Sequence, residues 1–243
     1  MSLLEVSELR TGYGALPVLQ GISFSVEEGQ TAVMFGLNGA GKTTTVNAIA
    51  GLLPAWSGQI RLDGKVVSGL EAPKVVAAGI GLSPEGRRVF PALSVLTNLR
   101  LGAWTRKADG KKAMEETIDR VFGYFPRLDE RKDQLAGTMS GGEQQMLAIG
   151  RAVMSKPRVL LIDEASLGLS PKLAQTVFQV VSQINDDGTT VVIVEQNVGV
   201  LPYADQALIM EKGTITYDGL GSELEKSGDL RKTYLGETSG STE

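Results

Sequence analysis

Residues 36–43 combine glycines, a lysine and a threonine at a spacing suited to binding phosphate. They read Gly-Leu-Asn-Gly-Ala-Gly-Lys-Thr, after an apolar run at residues 31–35 and before a helical pattern that starts at Thr44. Glycines let a backbone curl around an anion, and the free N–H groups and dipole of a helix N-terminus attract it. Lys42 is expected to reach the β- and γ-phosphates of a nucleotide, and Thr43 to supply an oxygen to Mg²⁺. We therefore predict a nucleoside triphosphate site, in place of a glycine-rich turn with a chance lysine.

Two adjacent acids, Asp163 and Glu164, directly follow a continuous apolar run at residues 159–162. Such a run is typical of a strand buried on both faces of a parallel sheet. An acid at the carboxyl end of that strand points into the crevice where α/β folds bind ligands. Asp163 is expected to hold Mg²⁺ through water, and Glu164 to orient and deprotonate the water that attacks the γ-phosphate. Paired acids at a strand end are usually the start of a solvated loop, but the phosphate-binding loop favours the catalytic interpretation.

A third motif, residues 139–145, begins a predicted helix. Ser140 is suited to be the helix N-cap, and Gly141 and Gly142 would leave backbone N–H groups accessible. Taken alone, the motif predicts only a capped helix. Its place in the chain, shortly before the acid pair, matches a more specific pattern.

The composition limits the possible chemistry. The chain has no cysteine and no histidine. Disulfides and thiol nucleophiles are therefore excluded, an acid–base step must use a carboxylate, Lys or Tyr, and a metal must be held by oxygens. The net charge of −4 gives no support to nucleic acid as the main partner. No apolar run approaches the roughly 18 residues of a membrane span, and residues 1–5 do not resemble a signal peptide. We expect a cytosolic protein, or one held at a membrane by other subunits.

The hydrophobic patterns predict the elements that position these motifs. They are antiparallel β over residues 3–35, a helix at 44–52, a hairpin turn at 63–64, a helix at 72–78, a strand at 80–82, helices at 111–122 and 143–155 within a helical region 95–156, strands at 159–162 and 189–194, a helix from 171 to 186 and a hairpin at 208–218. Prolines, a glycine and charges mark residues 83–91 as a loop between two lobes. Residues 237–243 are polar and are expected to be frayed.

Together, the motifs resemble those of the nucleotide-binding subunit of an ABC transporter over nearly the whole chain. Residues 36–43 match its P-loop, residues 140–142 its signature motif, and residues 159–164 its Walker B strand with the catalytic glutamate. Tyr13 resembles its adenine-stacking aromatic residue. The resemblance implies a P-loop NTPase fold of the α/β class, with a mixed sheet and an antiparallel β edge, in which a helical lobe is inserted.

The implied domain division and site roles follow from the same resemblance. The nucleotide-binding core would consist of residues 1–86 and 156–243, and the helical signature lobe of residues 87–155. The implied catalytic residues are Lys42, Glu164 and Gln196. The implied nucleotide-binding residues are Tyr13, Gly36, Asn38, Gly39, Gly41, Lys42, Thr43, Thr44, Ser140, Gly141 and Gly142, and the implied Mg²⁺ ligands are Thr43, Glu85 and Asp163.

Several positions depart from the commonest family pattern. Glu85 replaces a glutamine, Met139 a leucine, Glu143 a glutamine, Ser170 an aspartate and Gln196 the usual switch histidine. These departures occur together in one of the two ATPase subunits of branched-chain amino acid importers, which this chain resembles. Subunits of urea and short-amide importers are very similar, and the solute is expected to contact no residue of this chain.

The resemblance also implies partners and a location. A second ATPase subunit, identical or different, would pair head to tail with this chain, so that residues 140–142 complete the partner's nucleotide site. Transmembrane permease subunits would dock on the helical lobe and on loop 85–90, and an extracytoplasmic solute-binding protein would be an indirect partner. The chain would then be peripheral on the cytoplasmic face of the membrane. No nucleic acid partner is expected.

Two other classes of function remain as alternatives. A soluble ABC protein acting on a macromolecule usually has two fused ATPase units or long insertions, and this chain has neither. A P-loop kinase or GTPase would leave residues 139–145 without a role, and the guanine-specific pattern Asn-Lys-x-Asp is absent from the sequence. The importer ATPase is therefore the favoured interpretation.

Overall fold

The computed structural model describes residues 2–227, whose strands form two sheets. The strands are β1 Ser2–Tyr13, β2 Leu16–Glu27, β3 Thr31–Phe35, β4 Ser57–Leu62, β5 Lys65–Val66, β6 Ile80–Ser83, β7 Val159–Asp163, β8 Thr190–Glu195, β9 Gln206–Glu211 and β10 Thr214–Leu220. The helices are α1 Lys42–Ile49, α2 Ala72–Ala78, α3 Val95–Gly102, α4 Gly110–Tyr124, α5 Pro126–Glu130, α6 Gly141–Val153, α7 Pro171–Asp186 and α8 Gly221–Ser227. Short 3-10 helices occur at Trp104–Asp109, Ala136–Thr138 and Val198–Tyr203.

The larger sheet is mainly parallel and has the strand order β10-β9-β3-β8-β7-β6. Only β10 runs antiparallel to its neighbour, among the strands described. Its central strands β3, β8 and β7 are buried along their whole length because both faces are covered, and they are mainly apolar. In β3, Val33 and Phe35 pack in a core shared with the helices, whereas Ala32 and Met34 face a second core. The carboxyl ends of β3, β8, β7 and β6 therefore meet at one edge.

The smaller sheet is antiparallel, with the order β2-β1-β4-β5, and covers the second core. Ile22, Phe24 and Val26 alternate toward that core, as the sequence predicted. Tyr13 is the last residue of β1 and pairs with Leu16 across a two-residue turn. The flanking glycine belongs to that turn, where Gly14 has a φ of 60°.

The chain between β6 and β7 is helical and contains α3 to α6. Ser94 caps α3 by accepting a hydrogen bond from the Thr97 N–H. Leu99 of α3 and Leu147 of α6 belong to the same hydrophobic core as Phe35 of the sheet. Helix α6 packs on β6 and β7 of the parallel sheet, and α3 packs on α6. The division into a core and an inserted lobe at residues 87–155 stays a prediction. Across residues 2–227, no helix combines the length and the apolar character needed to cross a bilayer.

The predicted elements are largely confirmed. Residues 31–35 were predicted to belong to antiparallel β, which was wrong, because β3 pairs in parallel with β8 and β9. The other differences concern the bounds of helices. The strand at 31–35 and the helix at 72–78 have the predicted bounds. Helix α1 begins at Lys42, two residues before the predicted start, because Gly41 serves as its N-cap. Helix α6 also begins two residues early, because Ser140 caps it and both following glycines are helical. The polar end at residues 237–243 lies outside the described residues.

Candidate active site

Four functional segments follow neighbouring strands at the carboxyl edge of the parallel sheet. The phosphate-binding loop follows β3, Gln196 follows β8, and Glu164 follows β7. Glu85 follows β6 after one intervening proline. The strand order β3-β8-β7-β6 brings together segments that are far apart in the sequence. This edge is where open α/β sheets bind their ligands.

The phosphate-binding loop closes around its own lysine. Gly41, the N-cap of α1, has a φ of 111°, a conformation that disfavours side chains, and an added Cβ would lie 2.9 Å from Leu19. Lys42 is only 5% exposed. Its Nζ donates to the carbonyl oxygen of Gly36 at 2.7 Å and to that of Leu37 at 3.3 Å. The ammonium group is thereby held by backbone carbonyls of its own loop.

Glu164 lies within reach of both Lys42 and Gln196. Its Oε1 is 3.8 Å from the Lys42 Nζ and accepts a 2.7 Å hydrogen bond from the Gln196 Nε2. The same Nε2 also donates to the Asn38 Oδ1 at 2.9 Å. Glu164 has a φ of 55°, which is unusual for a residue with a side chain, and its N–H donates to the carbonyl of Val194. A carboxylate, an amide and a cation thus converge from segments that follow three neighbouring strands.

The electrostatics of the site reflect its burial. Burial lowers the pKa of Lys42, although the nearby carboxylates of Glu164 and Asp163 act in the opposite direction. Burial raises the pKa of Asp163 to about 6, against the hydrogen bond that Thr43 Oγ1 donates to its Oδ1 at 3.3 Å. The negative charges of Glu85 and Glu164 raise it further. Excess negative charge around hard oxygen donors is the arrangement that a divalent cation relieves.

Most of the predicted site residues line two adjoining cavities at this edge. The first has a volume of about 420 Å³ and contacts these predicted residues: Tyr13, Asn38, Gly39, Gly41, Lys42, Thr43, Thr44, Glu85, Glu164 and Gln196. The second, of about 450 Å³, is lined in part by Tyr13, Thr43, Glu85 and Asp163. Gly36, the first residue of the loop, is not among the described residues that line these cavities, and its carbonyl accepts a hydrogen bond from Lys42. Tyr13 is half exposed at the rim, a position from which its ring could stack on a base.

The signature residues are placed elsewhere. Ser140, Gly141 and Gly142 are not among the described residues that line either cavity. Ser140 and Glu143 form a capping box at the start of α6, in which each side chain accepts a hydrogen bond from the other residue's N–H. Glu143 also pairs with the Arg131 Nε at 3.1 Å. An added Cβ on Gly142 would lie 2.0 Å from the Cδ2 of Leu173 in α7, so the Leu173 side chain would have to move to accommodate it.

Sequence reasoning missed Glu195, the last residue of β8. Its side chain is 1% exposed and accepts hydrogen bonds from the N–H groups of Ser166, Gln196 and Asn197. The signal in the sequence was an acid that ends an otherwise apolar strand, directly before Gln196. Leu167 also lines the first cavity and was not predicted.

Comparison with known proteins agrees with this geometry. Residues 19–167 match the family model for the ABC transporter. The chain belongs to the ABC transporter family. It is 43% identical to the high-affinity branched-chain amino acid transport ATP-binding protein BraG of Pseudomonas aeruginosa, over 96% of this chain and 100% of BraG. It is 29% identical to the high-affinity branched-chain amino acid transport ATP-binding protein BraF of the same organism, over 97% of this chain and 98% of BraF.

The same fold occurs in a solved structure, the crystal structure of a nucleotide-free ATP-binding cassette from an ABC transporter. It superposes with a TM-score of 0.85 and 27% identity, covering 97% of this chain and 98% of that chain. The predicted family and the predicted α/β P-loop NTPase fold are confirmed, and the alternative of a kinase or GTPase is excluded. In this ABC ATPase, most of the residues predicted to bind nucleotide lie together at one edge of the parallel sheet.

Proposed function

We propose that the chain hydrolyses ATP as one ATPase subunit of an importer for branched-chain or related amino acids. Its similarity to BraG over nearly the full length of both chains supports this solute class. The hydrolytic role is carried by one observation, the approach of Glu164 to Lys42 with Gln196 bonded to Glu164. These groups surround the position of a γ-phosphate bound at the N-terminus of α1.

Each residue has a distinct role in the proposed hydrolysis. Lys42 would leave the carbonyl oxygens of its own loop and bind the γ-phosphate, a stronger acceptor. The phosphate would thereby separate Lys42 from Glu164. Glu164 would then accept a proton from the attacking water, while Gln196 orients Glu164 and donates to a γ-phosphate oxygen. Tyr13 would stack on the adenine ring.

Mg²⁺ fits the donor set of this site. Within residues 2–227, no group of three or more His, Cys, Asp or Glu side chains is arranged as a metal site. The ion would therefore need phosphate oxygens of the nucleotide in addition to Thr43, Asp163 and Glu85. Bound there, it would neutralise charge on the β- and γ-phosphates. Asp163 would hold its position through the Thr43 hydroxyl, whose hydrogen bond already joins the loop to β7.

The separation of the signature from the cavity supports a head-to-tail pair of ATPase subunits. The N–H groups of Gly141 and Gly142 at the start of α6 suit the γ-phosphate held by another subunit. ATP would then lie between two chains and hold them together, and its hydrolysis would release them. BraG and BraF occur in one organism, which supports a heterodimer with a second ATPase of the BraF type.

A groove beside the nucleotide edge supports the proposed docking of permease subunits. It has a volume of about 390 Å³ and lies between β6 and helices α2, α3 and α6. Phe90 and Trp104 line it and are 48% and 63% exposed. Arg87, in the same loop as Phe90, donates to the carbonyl of Leu167, which lines the nucleotide cavity. Docking would place the chain on the cytoplasmic face of the membrane, with a solute-binding protein acting from the other side.

Uptake of labelled solute tests this proposal. Cells that lack the endogenous importer are supplied with the permease, solute-binding protein and partner ATPase genes, together with this chain or its Glu164→Gln variant. We expect ATP-dependent uptake of leucine, isoleucine and valine with the wild-type chain only. Uptake of urea or acetamide in place of these amino acids would contradict the solute class. Equal uptake with both chains would contradict the hydrolytic role.

A further inference from the structure

The carboxylate of Glu195 joins the two loops that flank the proposed catalytic base. Its Oε1 accepts from the N–H of Ser166 at 2.7 Å. Its Oε2 accepts from the N–H of Gln196 at 3.0 Å and from that of Asn197 at 3.2 Å. Ser166 follows β7 and the other two residues follow β8, so one side chain spans two neighbouring strands.

Both of these loops carry groups of the active site. Ser166 lies two residues after Glu164, and the side chain of Gln196 donates to the Glu164 Oε1 at 2.7 Å. The loops have a second, weaker connection, a 3.4 Å hydrogen bond from the Asn197 Nδ2 to the Ser166 Oγ. The relative position of Glu164 and Gln196 is therefore set by the atoms that Glu195 binds.

A carboxylate at the buried end of β8 carries a desolvation cost. The other five residues of β8 are threonine, valines and isoleucine, and every residue of the strand is buried. Burial raises the pKa of Glu195, although the N–H groups of Asn197, Ser166 and Gln196 favour its charged form. An apolar residue would avoid this desolvation but would leave three partly buried N–H groups without their acceptor.

We propose that Glu195 is a positioning residue for ATP hydrolysis. Its carboxylate fixes the loop after β7, which carries Glu164, relative to the loop after β8, which carries Gln196. Among the described residues that line the two cavities, Glu195 is absent, so it would act through Glu164 and Gln196. This inference rests on the proposed function of those two residues. Glu195 would therefore position the two loops, whereas Gln196, the residue after it, would contact the γ-phosphate.

The geometry makes Glu195→Gln a sharp test. The amide keeps the shape of the side chain but offers one acceptor oxygen instead of two. In one orientation its NH₂ group faces the N–H of Ser166, and in the other it faces the N–H groups of Gln196 and Asn197. Either way, one loop loses its acceptor and meets a donor.

We expect kcat for ATP hydrolysis by Glu195→Gln to fall about 10- to 100-fold, as misplacement of a catalytic group by about 1 Å produces. KM and the ATP dissociation constant should stay close to those of the wild type, because the phosphate-binding loop is unchanged. Hydrogen exchange should become faster at Ser166 or at Gln196 and Asn197. The matched control is Glu211→Gln, in which an exposed glutamate at the end of β9 loses the same charge, and its kcat should not change.

Two further variants make the outcome decisive. Glu195→Asp keeps the charge but shortens the side chain by one methylene. It should show a smaller fall in kcat at unchanged KM. If Glu195→Gln does not fold, the kinetics of Glu195→Asp test the positioning role instead. A wild-type kcat in the folded variants, or a loss that only follows the fraction of folded protein, would overturn the positioning role. Glu164→Gln is assayed beside them. If it hydrolyses ATP normally, the proposed base fails, whereas an inactive Glu164→Gln beside a fully active Glu195→Gln removes only the positioning role.

Discussion

Helices α1 and α6 both begin with glycines and an accessible N-terminus, but their surroundings differ. The N-cap of α1 is Gly41, which offers no side chain, and Lys42, Glu164 and Gln196 converge in front of it. The N-cap of α6 is Ser140, bound in a capping box with its own Glu143, away from the cavity. The comparison supports the proposal that the chain contributes to two different nucleotide sites: an α1 half, formed by Lys42, Glu164 and Gln196, and an α6 half, formed by residues 140–142, that serves another subunit.

The largest effect on ATP hydrolysis is expected for Glu164, the proposed general base in the α1 half. Glu164→Gln should lower hydrolysis by about 10²- to 10⁴-fold, the usual contribution of a general base. ATP binding should be retained, because the neutral amide no longer repels the γ-phosphate, and ATP should hold a stable dimer. Phosphate release and size-exclusion chromatography with ATP measure the two effects. Normal turnover with no trapped dimer would show that the convergence at α1 is not catalytic.

A variant of the α6 half should have the opposite profile. Ser140→Arg puts bulk and charge into the surface that would meet the partner's γ-phosphate, so ATP-driven dimerisation and hydrolysis should both be lost. ATP affinity of the isolated chain, measured by calorimetry, should stay within about twofold, because this residue lies outside the cavity. A large loss of affinity in the monomer would mean that the signature acts on its own chain's nucleotide.

Gln196 tests how the α1 half works without a histidine. Gln196→Ala removes the bonds to Asn38 and Glu164, so hydrolysis should slow by about tenfold with little change in ATP binding. Gln196→His should retain activity and add a pH-dependent limb between about pH 6 and 7 that the wild type lacks. The assay uses a homodimer, or a partner ATPase altered at its own switch position. Wild-type rates in Gln196→Ala, with no new limb in Gln196→His, would place this side chain outside the reaction.

The last prediction concerns the stability of the fold instead of its activity, because burial of Asp163 beside the α1 half has a free-energy cost. The pKa of Asp163 rises from 3.8 to about 6 in the folded, Mg²⁺-free chain. The folded state then binds more protons than the unfolded state between about pH 4 and 6, so stability falls as the pH rises through that range and stays lower above it. Asp163→Asn should therefore be more stable than the wild type at pH 7.5 by up to about 3 kcal/mol.

Urea unfolding with EDTA measures this difference. The gain should disappear below about pH 4, where the carboxyl group is neutral in both states. Asp119→Asn, an exposed change on α4, is the control and should show no such gain. Equal stability of Asp163→Asn and the wild type at both pH values would mean that the buried acid has no cost.

The sequence predicted the parts of the fold whose signals are local. The apolar runs of β3 and β7 identify buried strands, and the spacing of residues 36–43 identifies the phosphate-binding loop. The sequence did not predict where β1 ends, and only the pairing of Tyr13 with Leu16 shows that the strand continues to the turn. Strand pairing depends on residues distant in the sequence, which local patterns do not contain.

The roles of the site residues were accessible to sequence reasoning, but their joint geometry was not. Lys42, Glu164 and Gln196 were each identified from a motif, whereas their contacts depend on the order of β3, β8 and β7 in the sheet. Glu195 was missed because a lone acid at a strand end usually begins a solvated loop. Its burial, and the three N–H groups that it accepts from, are visible only in three dimensions.

The most direct measurement combines two chains that are each inactive. Lys42→Ala disables the α1 half and Ser140→Arg disables the α6 half, and the mixed dimer is purified through a different tag on each chain. If the halves belong to different subunits, one site of this dimer joins the intact loop of the Ser140→Arg chain to the intact signature of the Lys42→Ala chain. We predict ATP hydrolysis by the mixed dimer that neither variant shows alone. A mixed dimer that forms but stays as inactive as its parents, beside an active wild-type dimer with the same tags, would contradict the account.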